Sequence, residues 1–303
     1  MDIHPNRFTR ITLHTCKNHI DFTLQKRYNF GMISETKIKE IFSNDTYETP
    51  IDTPNYWGDK LLFHSRWWFY ILFGGIVTRS SRLSVKGLYN DFQWMRASYD
   101  ILRDIEGCGG RFKIQGLNNL RKSDEPIVIV SNHISTLETV IFPCLVTTSR
   151  PATFVVKDKL VKGPIFGPIM KSRNPIVVGR QNPREDFRIV MTEGEKRLKD
   201  GKSLIIFPQS TRTPHFIPEK FNSLGIKLCQ KTGAHILPVA IKTDFWGDSK
   251  IIKGFGPLSR EKTIFMTFGE PFPVQGNGKE DHQRVIDFIS RHLDEWSSEG
   301  CTH

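Results

Sequence analysis

From residue 111 onward the chain alternates short, β-branched apolar runs with longer stretches of helical periodicity, and this alternation constrains the fold more than any other feature. Runs at 112–114, 127–130, 153–156, 176–178, 204–207, 236–241 and 264–268 read as strands. Between them, residues 183–200 place Phe187, Val190, Met191, Gly194 and Leu198 on one face, with Asn182 as N-cap, Pro183 at the first helical position and Gly201 as the stop. Residues 221–232 close on Gly233 in the same manner, and residues 281–296 carry a stripe of Val285, Ile289, Leu293 and Trp296. The expected class is α/β, a largely parallel mixed sheet flanked by helices.

Ahead of this region the texture differs. The run Trp67–Val77 is almost wholly apolar and aromatic, but it is about half the roughly 20 residues a helix needs to cross a bilayer. Its flanks carry Lys60, Arg66, Arg79, Arg82 and Lys86, which suits a segment lying among anionic headgroups as well as it suits a core helix. Leu88, Phe92, Met95, Tyr99 and Leu102 then recur at threes and fours, so the two stretches read as an N-terminal amphipathic helical hairpin. The expected organisation is an extension over 1–56, a membrane-associating helical segment over 57–110 and a catalytic domain over 111–303.

A net charge of +11 marks a surface that attracts polyanions, and no nucleic-acid-binding motif accompanies it. The five cysteines form no C-x-x-C pair and have no zinc-like histidine spacing, which favours a reducing, cytosolic setting and no metal. No secretory leader is legible in the first thirty residues.

In open α/β sheets, ligands gather where strands end. Directly after the 127–130 run stands Ser131-Asn132-His133-Ile134-Ser135-Thr136-Leu137-Glu138. Ser135 and Glu138 have the S-x-x-E spacing of a capping box, and the backward lean of a helical side chain carries the Glu138 carboxylate toward His133. A carboxylate on one imidazole nitrogen leaves the other to take a proton from a hydroxyl, the arrangement of a general base. The same residues also suit plain helix capping beside a polar loop histidine.

A second cluster, Phe207-Pro208-Gln209-Ser210-Thr211-Arg212-Thr213, again follows a strand; hydroxyls, an amide and a guanidinium there make a phosphate pocket or a stiff polar turn. A third, from Lys157 to Arg180, holds Lys159 and Lys162 in a glycine-rich stretch that ends with Arg180 after a strand.

Taken together, these blocks resemble the glycerolipid acyltransferase family over roughly residues 110–245. His133 to Glu138 looks like its N-H-x4-D/E signature, Val177 to Arg180 like its second block, Phe207 to Thr213 like its F-P-E-G-T-R-S/T block, and Ile236-Leu237-Pro238-Val239 like its fourth. The resemblance implies His133 as base, Glu138 as its partner, and Arg180 and Arg212 on the acceptor's phosphate; the full expected substrate-binding set is Arg180, Gln209, Ser210, Thr211, Arg212 and Lys159, with Asn132 and Ser135 capping the helix or orienting the site. It implies an acyl-CoA or acyl carrier protein thioester as co-substrate, no cofactor and no metal. The acceptor would be a lysophospholipid such as 1-acylglycerol-3-phosphate, met at the anionic cytoplasmic face of a membrane. No G-x-S-x-G elbow is present to supply a serine nucleophile, which agrees with direct attack. Three departures stand out: Glu138 replaces the commoner Asp, Gln209 stands where the family has Glu, and Ser210 where it has Gly. A different lysolipid acceptor, or hydrolysis of a thioester or lipid by the same His–Glu pair, are the alternatives.

Overall fold

Five parallel strands form one side of an eight-stranded mixed sheet in the computed structural model, which describes residues 33–209, 211–249 and 254–299. Within residues 35–303, which form one compact unit, the strands are β1 (Tyr47–Glu48), β2 (Phe112–Gln115), β3 (Ile127–Ser131), β4 (Ala152–Lys157), β5 (Ile176–Val178), β6 (Ser203–Ile206), β7 (His235–Lys242) and β8 (Ile264–Phe268). Their order is β1-β2-β8-β7-β3-β6-β4-β5. β7, β3, β6, β4 and β5 run parallel, so their carboxyl ends share one edge, whereas β8 pairs antiparallel with β7 and β1 antiparallel with β2. Each sequence-expected run thus forms a strand of an α/β sheet. β3, fully buried on both faces, lies between β7 and β6.

The helices in chain order are α1 (Glu35–Ile41), α2 (Trp57–Leu61), α3 (Arg66–Val85), α4 (Asp91–Gly107), α5 (Leu137–Val146), α6 (Asp158–Lys162), α7 (Phe166–Ser172), α8 (Pro183–Lys199), α9 (Leu224–Thr232) and α10 (Lys279–Glu299). Val190 and Leu198 of α8, Ile226 and Leu228 of α9 and Val285 and Ile289 of α10 pack with Val128, Leu204 and Ile236 of the sheet in one hydrophobic cluster. α9 approaches so closely that a Cβ on Gly225 would lie 2.6 Å from Val130. α8 begins as its sequence indicates, with the Asn182 side chain accepting from the backbone N–H groups of Arg184 and Glu185. α9 starts later than the sequence suggests, at Leu224, because a short 3₁₀ turn at Pro218–Lys220 leaves Phe221 in extended backbone; it ends on Gly233 at φ 75°.

Two expectations need correction. The stretch between Lys157 and Arg180 is not an open glycine-rich loop, since α6 and α7 occupy most of it. The apolar run Trp67–Val77 is no short segment by itself but part of a 20-residue helix, α3, in which Phe69, Phe73, Ile76 and Val77 are buried, while Trp67 and Ile71 stand 60 % and 59 % exposed. Among the described residues, no helix is long and apolar enough to cross a membrane.

α3 packs on α4, whose Asn90 cap accepts from the Gln93 N–H at 2.9 Å, and α4 packs on α5, where the Ser98 hydroxyl bonds the Val140 carbonyl at 2.6 Å. Residues before 57 also enter the body, because β1 extends the sheet and Tyr47 and Thr49 each donate to the buried Glu106 carboxylate at 2.7 Å. Cys108, Cys144 and Cys229 are free and buried; Cys16 and Cys301 lie outside the described residues.

Candidate active site

Directly after β3 comes a buried Asn132 whose side chain stitches this strand end to β7, donating to the Ile241 carbonyl at 2.8 Å and accepting from the Ile241 N–H at 3.0 Å. Asn132 therefore ties strand to strand and caps no helix. The next residue, His133, meets Glu138 as the sequence spacing suggests, with Nδ1 2.7 Å from Oε1. α5 begins at Leu137, one residue later than a capping box headed by Ser135 requires, so Thr136 takes the N-cap place. Half of the box survives: Glu138 Oε1 accepts from the Ser135 N–H at 2.8 Å, but the Ser135 hydroxyl accepts from the Leu137 N–H at 3.0 Å instead of from Glu138.

Glu138 is wholly buried and densely bonded. Oε1 also accepts from the Ile134 N–H at 2.7 Å, while Oε2 faces the hydroxyls of Ser135 at 2.9 Å and Thr243 at 2.7 Å. Burial pushes this carboxyl up, but the bonds from His133, Thr243 and the backbone outweigh it, and the group is held below its ordinary value. An ionised carboxylate beside Nδ1 fixes the imidazole tautomer, with the proton on Nδ1 and the lone pair on Nε2. Nε2 has no hydrogen-bond partner among the described residues, and the ring is 15 % exposed.

The block after β6 closes around this histidine. The Phe207 ring stacks on the imidazole at 4.4 Å and on Phe142 at 5.9 Å, fixing the ring plane against the core. Gln209 Oε1 accepts from the His133 N–H at 2.9 Å, the Thr213 N–H donates to the His133 carbonyl at 3.0 Å, and Gln209 Nε2 donates to the Thr213 hydroxyl at 2.7 Å. Both polar groups of the His133 backbone are thus held by one loop. Gln209 supplies an acceptor here through its amide oxygen, with no negative charge required. Arg212 donates to the Thr136 hydroxyl, three residues past the histidine, and faces Asp248 at 3.1 Å. Thr211 is exposed beside it, and Ser210 lies outside the described residues.

The acyltransferase profile, described as "Acyltransferase", matches residues 111–242, which hold all of β2 to β7 and these blocks. The chain is 29 % identical over 207 residues to the 1-acyl-sn-glycerol-3-phosphate acyltransferase of Pseudomonas aeruginosa, covering 68 % of this chain and 74 % of that one. It is 30 % identical over 131 residues to the chloroplastic 1-acyl-sn-glycerol-3-phosphate acyltransferase of Arabidopsis thaliana, 43 % of this chain and 36 % of that one. Residues 111–242 thus match the acyltransferase family, and the chain is similar to glycerolipid acyltransferases. Its fold is like the crystal structure of PlsC, the 1-acyl-sn-glycerophosphate acyltransferase of Thermotoga maritima, at TM-score 0.55 and 22 % identity over 78 % of this chain and 95 % of that chain.

On this scaffold the remaining sequence-derived residues lie further out. Arg180 follows β5, three strands from β3 in the sheet order, or about 14 Å at ordinary strand spacing. It is exposed and at φ 61°, a left-handed backbone held because Asp186 accepts from the N–H groups of Gly179 at 2.9 Å and Arg180 at 2.8 Å. Lys159 is exposed on α6, which follows β4 at the same sheet edge. Sequence reasoning missed Thr136, Phe207 as a wall for the ring, Thr243 and Asp248. Thr243 was the hardest to find, since the 108-residue offset linking it to Ser135 is simply the β3–β7 register continued past the strand ends.

Proposed function

We propose that the protein moves a fatty acyl group from an acyl thioester, carried by coenzyme A or acyl carrier protein, to the free hydroxyl of a lysophospholipid. The acceptor that fits best is 1-acylglycerol-3-phosphate, giving phosphatidic acid, the acceptor named for the Pseudomonas and Arabidopsis relatives. The carrying observation is the His133 imidazole, bonded at Nδ1 to a buried, ionised carboxylate and clamped along its backbone by the 207–213 loop.

In this scheme Nε2 takes the acceptor's hydroxyl proton as the oxygen attacks the thioester carbonyl carbon. The C–O bond forms, the C–S bond breaks, and the imidazolium returns its proton to the departing thiolate. Glu138 keeps Nδ1–H aligned and stabilises the transient cation. Neither a metal nor an acyl-enzyme takes part. Arg212, next to the histidine, grips the acceptor's phosphate, while Arg180 and Lys159 serve charged groups of the two substrates at the rim; Ser210 and Thr211 supply hydroxyl and backbone contacts.

The substrates are lipids, and the protein meets them at a membrane surface on the cytoplasmic side. Trp57, Phe63, Trp67 and Ile71 are 71 %, 93 %, 60 % and 59 % exposed, and Arg66 lies over the Trp67 ring, an apolar and cationic set suited to anionic headgroups.

A panel of lysolipids and thioesters given to purified protein, with products read by mass, tests donor and acceptor together. His133→Ala is expected to fold normally and lose transfer. Transfer retained in that variant refutes the base, and thioester cleavage without any acylated lipid product favours hydrolysis.

A further inference from the structure

The stretch after β7 returns to the site from an unexpected side. Thr243 bonds Glu138, and three residues on Trp246 is buried in an aromatic cluster with Phe69 and Phe73 of α3, at ring separations of 4.8 and 5.2 Å. The loop is pinned on itself: the Trp246 indole N–H donates to the Gly254 carbonyl at 2.9 Å, the Gly247 N–H to the Pro257 carbonyl at 2.9 Å, and the Gly254 N–H to Asp248 Oδ1 at 2.8 Å. Tyr70 of α3 adds a bond from its hydroxyl to the Gly256 carbonyl at 2.7 Å. Gly254, at φ 85°, lies so close to the site that a Cβ there would sit 2.8 Å from the Thr136 hydroxyl. Asp248 is therefore presented by a constrained backbone, and the same Oδ1 that accepts from Gly254 faces Arg212 Nη1 at 3.1 Å.

We propose that Asp248 is an internal anion of the acceptor subsite, competing with the acceptor's phosphate for the Arg212 guanidinium. This rests on the reading of Arg212 as the phosphate-binding residue. The Asp248 side chain is 43 % exposed and that of Arg212 21 %, so the pair stands where an incoming headgroup meets it. A phosphate binds a guanidinium through two parallel N–H bonds, and Nη1 already serves Thr136 and Asp248. A phosphate monoester that takes the open Nε and Nη2 edge shares the cation with the Asp248 carboxylate and meets its charge at close range. That charge opposes a dianion more than a headgroup that carries its own ammonium, which makes Asp248 a specificity-determining residue for headgroup charge.

The test measures transfer kinetics of the full chain with lysophosphatidic acid and with lysophosphatidylethanolamine for wild type, Asp248→Asn, Asp248→Ser and Arg212→Ala, with thermal melting to confirm folding. Asp248→Asn is expected to lower KM for lysophosphatidic acid about two- to fivefold, the range of a partly exposed ion pair, and to change KM for lysophosphatidylethanolamine less. Asp248→Ser gives the same direction should the amide form a new bond. If Arg212→Ala raises KM while both Asp248 variants leave it unchanged or raise it, Asp248 only props the arginine and the proposal is overturned with the phosphate reading intact. An equal gain on both lipids overturns the charge argument. An Arg212→Ala enzyme with unchanged KM overturns the phosphate reading itself and this inference with it.

Discussion

Thr243→Val removes a single hydroxyl from the carboxylate that steers the proposed base, and does so with little change of shape. Thr243 is fully buried, and its hydroxyl lies 2.7 Å from Glu138 Oε2. Hydrogen bonds to charged groups contribute about 1.5–3 kcal/mol. Part of this returns, because the Ser135 hydroxyl lies 3.1 Å from Thr243 and 2.9 Å from Oε2, and without the threonine it turns wholly to the carboxylate. The expected net loss is therefore near the lower bound, about 1.5 kcal/mol, read as a fall in denaturation midpoint. His133 still meets Oε1, so the base is loosened and not lost. A loss of about 1.4 kcal/mol from the transition state lowers kcat about tenfold, with KM for the acceptor little changed.

The pH dependence follows from the depressed Glu138 carboxyl. Its contribution to stability is fully present above the ordinary value of 4.5 and is lost as pH falls through the lower folded value. Thr243→Val raises that folded value, so the acid loss of stability moves to higher pH, and Thr243→Ser restores it. Wild-type kcat and an unmoved acid limb in the valine variant would refute the role of Thr243, as would a serine variant no better than valine.

Two further outcomes are expected. Asp104 lines a cleft of about 400 Å³ between α3 and α4, and its carboxyl is pushed up from 3.8 to about 7 by burial and by Asp100, against the Tyr56 hydroxyl and Arg79. The folded state then holds a proton that the unfolded chain releases, so stability falls as pH rises between those values; Asp104→Asn removes this slope, and melting at pH 5 and pH 8 checks it. Replacing both Phe63 and Trp67 by serine is expected to weaken sedimentation with anionic vesicles about tenfold or more while leaving the melting temperature near wild type, and unchanged sedimentation rules out that face as the docking surface.

Much of the molecule was legible before any coordinates, for local reasons. Strand runs such as 127–130 announce themselves because a central parallel strand is apolar on both faces, and α8 carries its own cap, first-turn proline and stop. The His133–Glu138 contact spans five residues, a separation that one turn of helix closes. Where local signals misled, a neighbour had intervened. Ser135 lost the cap position as its hydroxyl was drawn to Glu138 and Thr243, and the apolar run Trp67–Val77 looked ambiguous because α3 buries one face on Trp246 and exposes the other.

The sequence by itself determined the strand and helix alternation, the histidine–carboxylate pair and the arginine in the loop after β6, since each depends on residues within a few positions of one another. Only the tertiary structure decided what keeps that carboxylate ionised and what faces that arginine. Thr243 and Asp248 reach the site because β7 lies beside β3 and Trp246 anchors the following loop on α3, contacts between segments far apart in the chain that no local periodicity encodes.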